Sequence, residues 1–119
     1  MNNEMTSNSI LEKWNSIKTQ LEYFFRKRDQ ENTEILMKQG ISLFIQFLSS
    51  VNEMVFQEGQ EIPYQNMSFK PVNLEERLGF IISRPKLYHS YRQLSELMVE
   101  LEKLSAKKEI KKKSSSYKS

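Results

Sequence analysis

Between Asn32 and Phe56 the apolar residues Met37, Ile41, Phe44, Leu48, Val51 and Val55 recur at alternating intervals of four and three. That is the period of one face of an α-helix, held without a break across Gly40. Leu36, Leu43, Ile45, Phe47 and Met54 widen the apolar surface beyond a single stripe. A helix apolar over so much of its circumference needs neighbours on more than one side, so it is predicted to be central in a helical bundle. Gly40 costs a helix about 1 kcal/mol relative to Ala. Because the register stays in phase across it, the spacing predicts one helix with a close approach at Gly40.

The remaining segments share the helical period. A first helix is expected from about Ser9 to Arg28, with Ile10, Trp14, Ile17, Leu21 and Phe24 on one stripe. Ser9 and Glu12 have the spacing of a capping box, and Arg26, Lys27 and Arg28 suit the C-terminal end of the helix dipole. A short third helix is expected from Asn73 to about Ser83, with Asn73 and Glu76 as a start signal and Leu74, Leu78, Ile81 and Ile82 buried. Arg84-Pro85 stops it, and Pro85 opens a fourth helix reaching about Ala106, with Leu87, Tyr91, Leu94, Met98 and Leu101 in register. No segment alternates like a strand. The expected fold is all-α, a small bundle of three long helices and one short helix.

The long connection Gln57–Val72 precedes the short helix. It carries Ile62, Tyr64, Met67, Phe69 and Val72, which want cover, so it is expected to be ordered. One reading is a strap packed across the bundle; the other is a partner-binding segment with Tyr64 and Phe69 as its contacts. The 119 residues suit one domain. Its expected limits are 9–106, between a polar disordered N-terminus, 1–8, and a disordered Lys/Ser-rich tail, 107–119.

Charge separates that tail from the rest. The chain carries a formal +3, but the last thirteen residues alone carry +5, leaving −2 on the first 106. A nucleic-acid-binding domain usually carries its positive excess on the folded part. The tail by itself offers weak, salt-dependent contact with phosphates or anionic lipid, or only a solvated terminus.

Catalytic and metal chemistry finds little to work with. There is no cysteine, so thiolate metal sites, disulfides and cysteine nucleophiles are excluded, and His89 is the single histidine. No Glu-x-x-His motif exists, and Gly40, Gly59 and Gly79 stand too far apart to form a phosphate loop. No cofactor and no metal are expected, and the chain reads as a non-enzyme. The N-terminal residues lack the basic and apolar regions of a signal peptide, and no apolar run is long enough for a membrane span, so a cytoplasmic protein is expected.

One local anomaly remains. Arg84, Lys86, His89 and Arg92 crowd the start of the fourth helix, where the dipole favours acids, and no acid follows until Glu96. Either Glu58, Glu61, Glu75 or Glu76 neutralises the cluster, or it binds an external anion or acidic partner. Aromatic and basic residues also adjoin in Phe24–Arg28 and Tyr88–Arg92, a loose pattern for base stacking. Phe24 and Tyr91 lie on core stripes, which leaves Phe25 and Tyr88 turned outward.

The runs Lys70-Pro71-Val72-Asn73-Leu74-Glu75-Glu76-Arg77-Leu78, Arg84-Pro85-Lys86-Leu87-Tyr88-His89-Ser90-Tyr91 and Gln93-Leu94-Ser95-Glu96-Leu97 resemble the YpoC-like family, small helical proteins of Gram-positive bacteria. The resemblance is most specific from Pro71 to Leu104, and Trp14 with Phe24–Arg28 is compatible with it. It implies a helical fold and brings no activity or catalytic residue. Relatives tend to be encoded near replication and repair genes, which implies a nucleic-acid context as an association. The leading expectation is a non-catalytic protein–protein interaction module. The alternative is a nucleic-acid-associated accessory protein using the basic tail with Arg84–Arg92. Monomer and homodimer are both open.

Overall fold

The computed structural model describes residues 7–56 and 59–118. Among them are four α-helices, α1 (Ser7–Lys27), α2 (Gln30–Val51), α3 (Leu74–Ser83) and α4 (Tyr88–Lys118), and no strand. A 3-10 turn, Tyr64–Asn66, lies in the connection before α3. The all-α expectation holds.

In α1, Ile10, Trp14, Ile17 and Leu21 are buried, as the stripe requires, and Phe24 is half-buried. The helix already contains Ser7, Asn8 and Ser9, so Ser9 is inside its first turns rather than capping it. Residues 1–6 of the expected disordered N-terminus lie outside the described residues. At the far end Arg28 turns left-handed (φ 56°), while Arg28 N–H donates to Phe25 O and Asp29 N–H to Phe24 O. This is a Schellman motif with no glycine. Asp29 then caps α2, its Oδ1 accepting from Asn32 N–H at 3.1 Å and its Oδ2 from Asn32 Nδ2 at 2.7 Å. Those bonds hold the Asp29 carboxyl below its usual range.

α2 runs unbroken through Gly40. A β-carbon there would stand 2.7 Å from the Trp14 ring and 3.2 Å from Leu94 Cδ2, so α1, α2 and α4 meet at that point. The helix stops at Val51, short of the expected Phe56, and Val55 is fully exposed although it continues the register. The chain leaves through a second Schellman motif, with Glu53 left-handed (φ 52°), Glu53 N–H donating to Ser50 O and Met54 N–H to Ser49 O. Asn52 fixes the exit: its Nδ2 donates to Leu48 O and to Phe69 O, and its Oδ1 accepts from Phe69 N–H, each at 2.9 Å.

That clamp ties the connection to the end of α2. Met67 and Pro71 are buried, and Ile62, Tyr64 and Phe69 are half-buried against the core, whereas Val72 is exposed. Asn73 begins α3 in a left-handed conformation with no side-chain cap, so the expected pairing with Glu76 does not cap this helix. Leu74, Leu78 and Ile81 are buried, while Ile82 faces outward. Pro85 to Leu87 form a turn, and Leu87, expected on the buried register, is 45% exposed. Ser90 Oγ donates to Arg84 O across the turn at 2.5 Å.

α4 buries Tyr91, Leu94, Leu97, Met98 and Leu101 and continues past Ala106 to Lys118, where a disordered tail is expected from 107. The helix thus runs on across the charge shift at 107. Ala106 to Glu109 are good or acceptable helix formers, and Lys108 reaches back to the body of the protein. Its Nζ donates to Val51 O, lies 3.1 Å from Glu53 Oε2 and sits 5.4 Å from the centre of the Phe69 ring.

Candidate functional site

A run of aromatic rings joins α1 to α4. Trp14 and Tyr91 are buried with centroids 6.4 Å apart, and Tyr91 lies 5.5 Å from Phe25. Phe25 meets Tyr88 at 5.2 Å with the planes at 90°, and Tyr88 is 53% exposed. The rings thus lead from the core to the surface. The Tyr91 hydroxyl donates to Glu22 Oε2 at 2.7 Å, and burial together with this carboxylate pushes the phenol pKa up. Ser95 Oγ, shielded from solvent, lies beside the same hydroxyl without reaching hydrogen-bond geometry.

These contacts bring the C-terminal end of α1 against the N-terminal end of α4. Two basic segments far apart in sequence, Arg26–Arg28 and Arg84–Arg92, therefore share one end of the bundle. Glu22, Phe25, Arg26 and Tyr88 line an open cleft of about 330 Å³ there. Among the described residues no hydrogen bond or ion pair holds the Arg26, Arg28 or Arg92 side chain.

The four cations expected to act together are divided among three neighbours. Arg84 stacks over the Phe80 ring of α3 at 4.9 Å, and His89 meets the same ring edge-on at 5.5 Å. His89 Nε2 also lies 3.4 Å from Gln93 Nε2 and is exposed. Lys86 pairs with Glu34 of α2 at 3.8 Å, and Glu34 also holds Lys38 at 3.2 Å. Arg92 turns instead to the α1–α4 groove, which Lys18, Glu22, Tyr91, Glu96 and Glu100 also line. His89 and Arg92, three residues apart, therefore diverge to different neighbours, α3 and α1.

Of the expected neutralising acids, Glu75 and Glu76 are placed elsewhere. α3 and α4 run antiparallel, which puts Glu75 and Glu76 at the far end of α3 from Arg84, and Glu58 lies outside the described residues. Those two acids line a second open cleft with Tyr64, Lys70 and Asn73. Of the two loop candidates, Tyr64 faces that cleft, and burial and the charge of Glu75 raise its pKa. Phe69 is half-buried beneath Lys108.

The family model for YpoC-like proteins matches residues 4–113, which include both basic segments, the strap and the whole ring contact. The chain belongs to the YpoC-like family. It is 32% identical to the protein named "Uncharacterized protein YpoC" of Bacillus subtilis (strain 168) over 96 residues, 79% of this chain. The match spans 58% of the length of that relative. No solved structure matches.

In this YpoC-like chain the strongest polar contact is one that sequence reasoning missed. Arg77 of α3 meets Glu100 of α4 in a two-pronged pair, Nη1 to Oε1 at 2.9 Å and Nη2 to Oε2 at 2.6 Å. Arg77 Nη1 also donates to Val72 O at 3.0 Å. The guanidinium holds the Glu100 carboxyl below its usual range, and the carboxylate in turn raises the Arg77 pKa. The partners lie on different helices, so no spacing within one segment announces them. The meeting of Phe25 and Tyr88 had a partial signal, since both stand off the core stripes beside basic residues.

Proposed function

We propose that this YpoC-like chain is a non-catalytic, cytoplasmic accessory module, a bundle of three long helices and one short one that binds a protein partner. The observation carrying this reading is the meeting of Phe25 and Arg26 of α1 with exposed Tyr88 of α4, one helical turn from Arg92. Cationic and aromatic side chains gathered on one surface are the usual makings of a binding hot spot. His89 fits a packing role here, because Phe80 and Gln93 take its two sides. The test is affinity purification of the tagged full chain from cells that make it. A stoichiometric protein partner released by Arg26→Glu with Tyr88→Ala, or by Tyr64→Ala with Phe69→Ala, is expected. Recovery of none under crosslinking would overturn the reading.

A second reading, a nucleic-acid-associated accessory protein, is favoured by the alternation of rings and cations in the same two segments. The C-terminal lysines add no continuous strip to it, since Lys111 stands roughly 28 Å along α4 from Arg92 at 1.5 Å per residue. Fluorescence anisotropy with single- and double-stranded DNA and RNA, on the full chain and on a form ending at Ala106, tests it. Binding that survives truncation supports a phosphate-recognising bundle, and binding lost with the tail defeats that reading.

A further inference from the structure

We infer that the notch between Phe25 and Tyr88 seats an apolar side chain from an acidic peptide segment of a partner protein, with Arg26 on its lining and Arg92 one helical turn from Tyr88 engaging the flanking carboxylates. This rests on the interaction reading and narrows it to one surface and one partner chemistry. The cleft is open, so it does not enclose a small molecule as ligand sites do; it suits one anchor side chain carried on a longer segment. Its apolar lining is Phe25 and Tyr88, the latter braced at 5.6 Å by buried Tyr91. The Glu22 carboxylate on its rim is engaged by the Tyr91 hydroxyl. Arg26 and Arg92 form no ion pair among the described residues, although Glu22, Glu96 and Glu100 line the groove that Arg92 enters, while Lys86 is already held by Glu34. Guanidinium groups bind carboxylates in two-pronged geometry, which an acidic segment supplies.

Two observations favour a peptide over a nucleic-acid strand. The Phe25 and Tyr88 rings stand at 90° and form a corner rather than a flat platform on which bases stack. Glu22, Glu96 and Glu100 line the groove beside Arg92, so carboxylates interrupt a positive track along α4 where a strand's phosphates would lie. Leu87, exposed beside Tyr88, adds aliphatic surface at the rim.

Selection of a random peptide display library on the full chain tests the inference. Enriched peptides are expected to carry several Asp or Glu around one aromatic or aliphatic residue. Synthetic copies are expected to lose affinity about tenfold or more with Arg26→Glu or Tyr88→Ala. Both positions are on the surface, and circular dichroism verifies that the variants fold. Replacing the anchor in the peptide by Ser should cost as much as Tyr88→Ala. Enriched peptides that lack acids, or that keep their affinity for both variants, would overturn the inference. If they are lost instead with Tyr64→Ala or Phe69→Ala, this surface falls while the interaction reading stands. If no peptide is enriched and labelled oligothymidine binds in a manner abolished by Arg26→Glu, both the inference and the protein-partner reading fail in favour of nucleic acid.

Discussion

At Gly40 the helix-breaking cost of glycine is set against a close approach of three helices. A β-carbon there would press on the Trp14 ring at 2.7 Å, and that ring is held between α1, α2 and the Tyr91 ring. Ala would gain about 1 kcal/mol of helix propensity. Forcing an extra carbon into a packed core costs about 1–3 kcal/mol, so crowding wins. Gly40→Ala is expected to lower stability by about 1 kcal/mol in urea unfolding, with a shift in the fluorescence of the single tryptophan. A more stable variant would mean that the Trp14 ring has room to move. Gly40 was legible in the sequence because the apolar register on both sides stayed in phase. The two left-handed residues that end α1 and α2, Arg28 and Glu53, were not legible, since neither is the glycine or asparagine such positions favour. The register therefore ran on to Val55 on paper, whereas the chain turned away at Asn52.

Between elements, α3 is held to α4 by its buried face and by the Arg77–Glu100 pair. Glu100 is 39% exposed at its side chain and Arg77 21%, so solvent screens part of the attraction; the two-pronged geometry raises it above an ordinary surface pair. About 1 kcal/mol is the expected contribution at neutral pH. The carboxyl pKa is lowered in the folded chain from an ordinary 4.5. The contribution is therefore fully present above that unfolded value and is lost as pH falls through the lower folded one. Stability of Glu100→Gln should lie below wild type at neutral pH and converge with it in acid. A difference that stays constant from neutral pH down to strong acid would show that shape, not charge, holds the two helices. No pattern inside α3 or α4 points to this pair, since an ion pair across two helices depends on how they dock.

Over the whole molecule, α4 is about 46 Å long at 1.5 Å per residue and carries basic groups at both ends. Its first turns join α1 at the candidate binding end, while Lys108 secures its later part to the end of α2 and to the strap. Glu53 is 68% exposed, so the ion pair adds little; the bond to the Val51 carbonyl and the contact with Phe69 carry most of the effect. A chain ending at Ala106 is expected to lose about 1 kcal/mol of stability, and Lys108→Met in the full chain a similar amount, by urea unfolding. Peptide binding at the Phe25–Tyr88 notch should be unchanged in both. If truncation costs nothing, the residues after Ala106 are a separate appendage, as their composition implies.

The sequence by itself determined the all-α class, because the burial of Ile10, Trp14, Leu48, Leu94 and Leu101 follows from a periodicity that any neighbour would satisfy. It determined the close approach at Gly40 because the register stays in phase across it, and the packing of Met67 and Phe69 on the core because apolar side chains seek cover. Only the tertiary structure decided which charges meet. Lys86 goes to Glu34, Arg77 to Glu100 and Arg92 to the α1 side of α4, because ion pairs between elements depend on helix order and crossing, which local spacing does not encode. It also decided that Phe25 and Tyr88, separated by most of the chain, form one notch, since ring contacts across helices are set by docking and not by register.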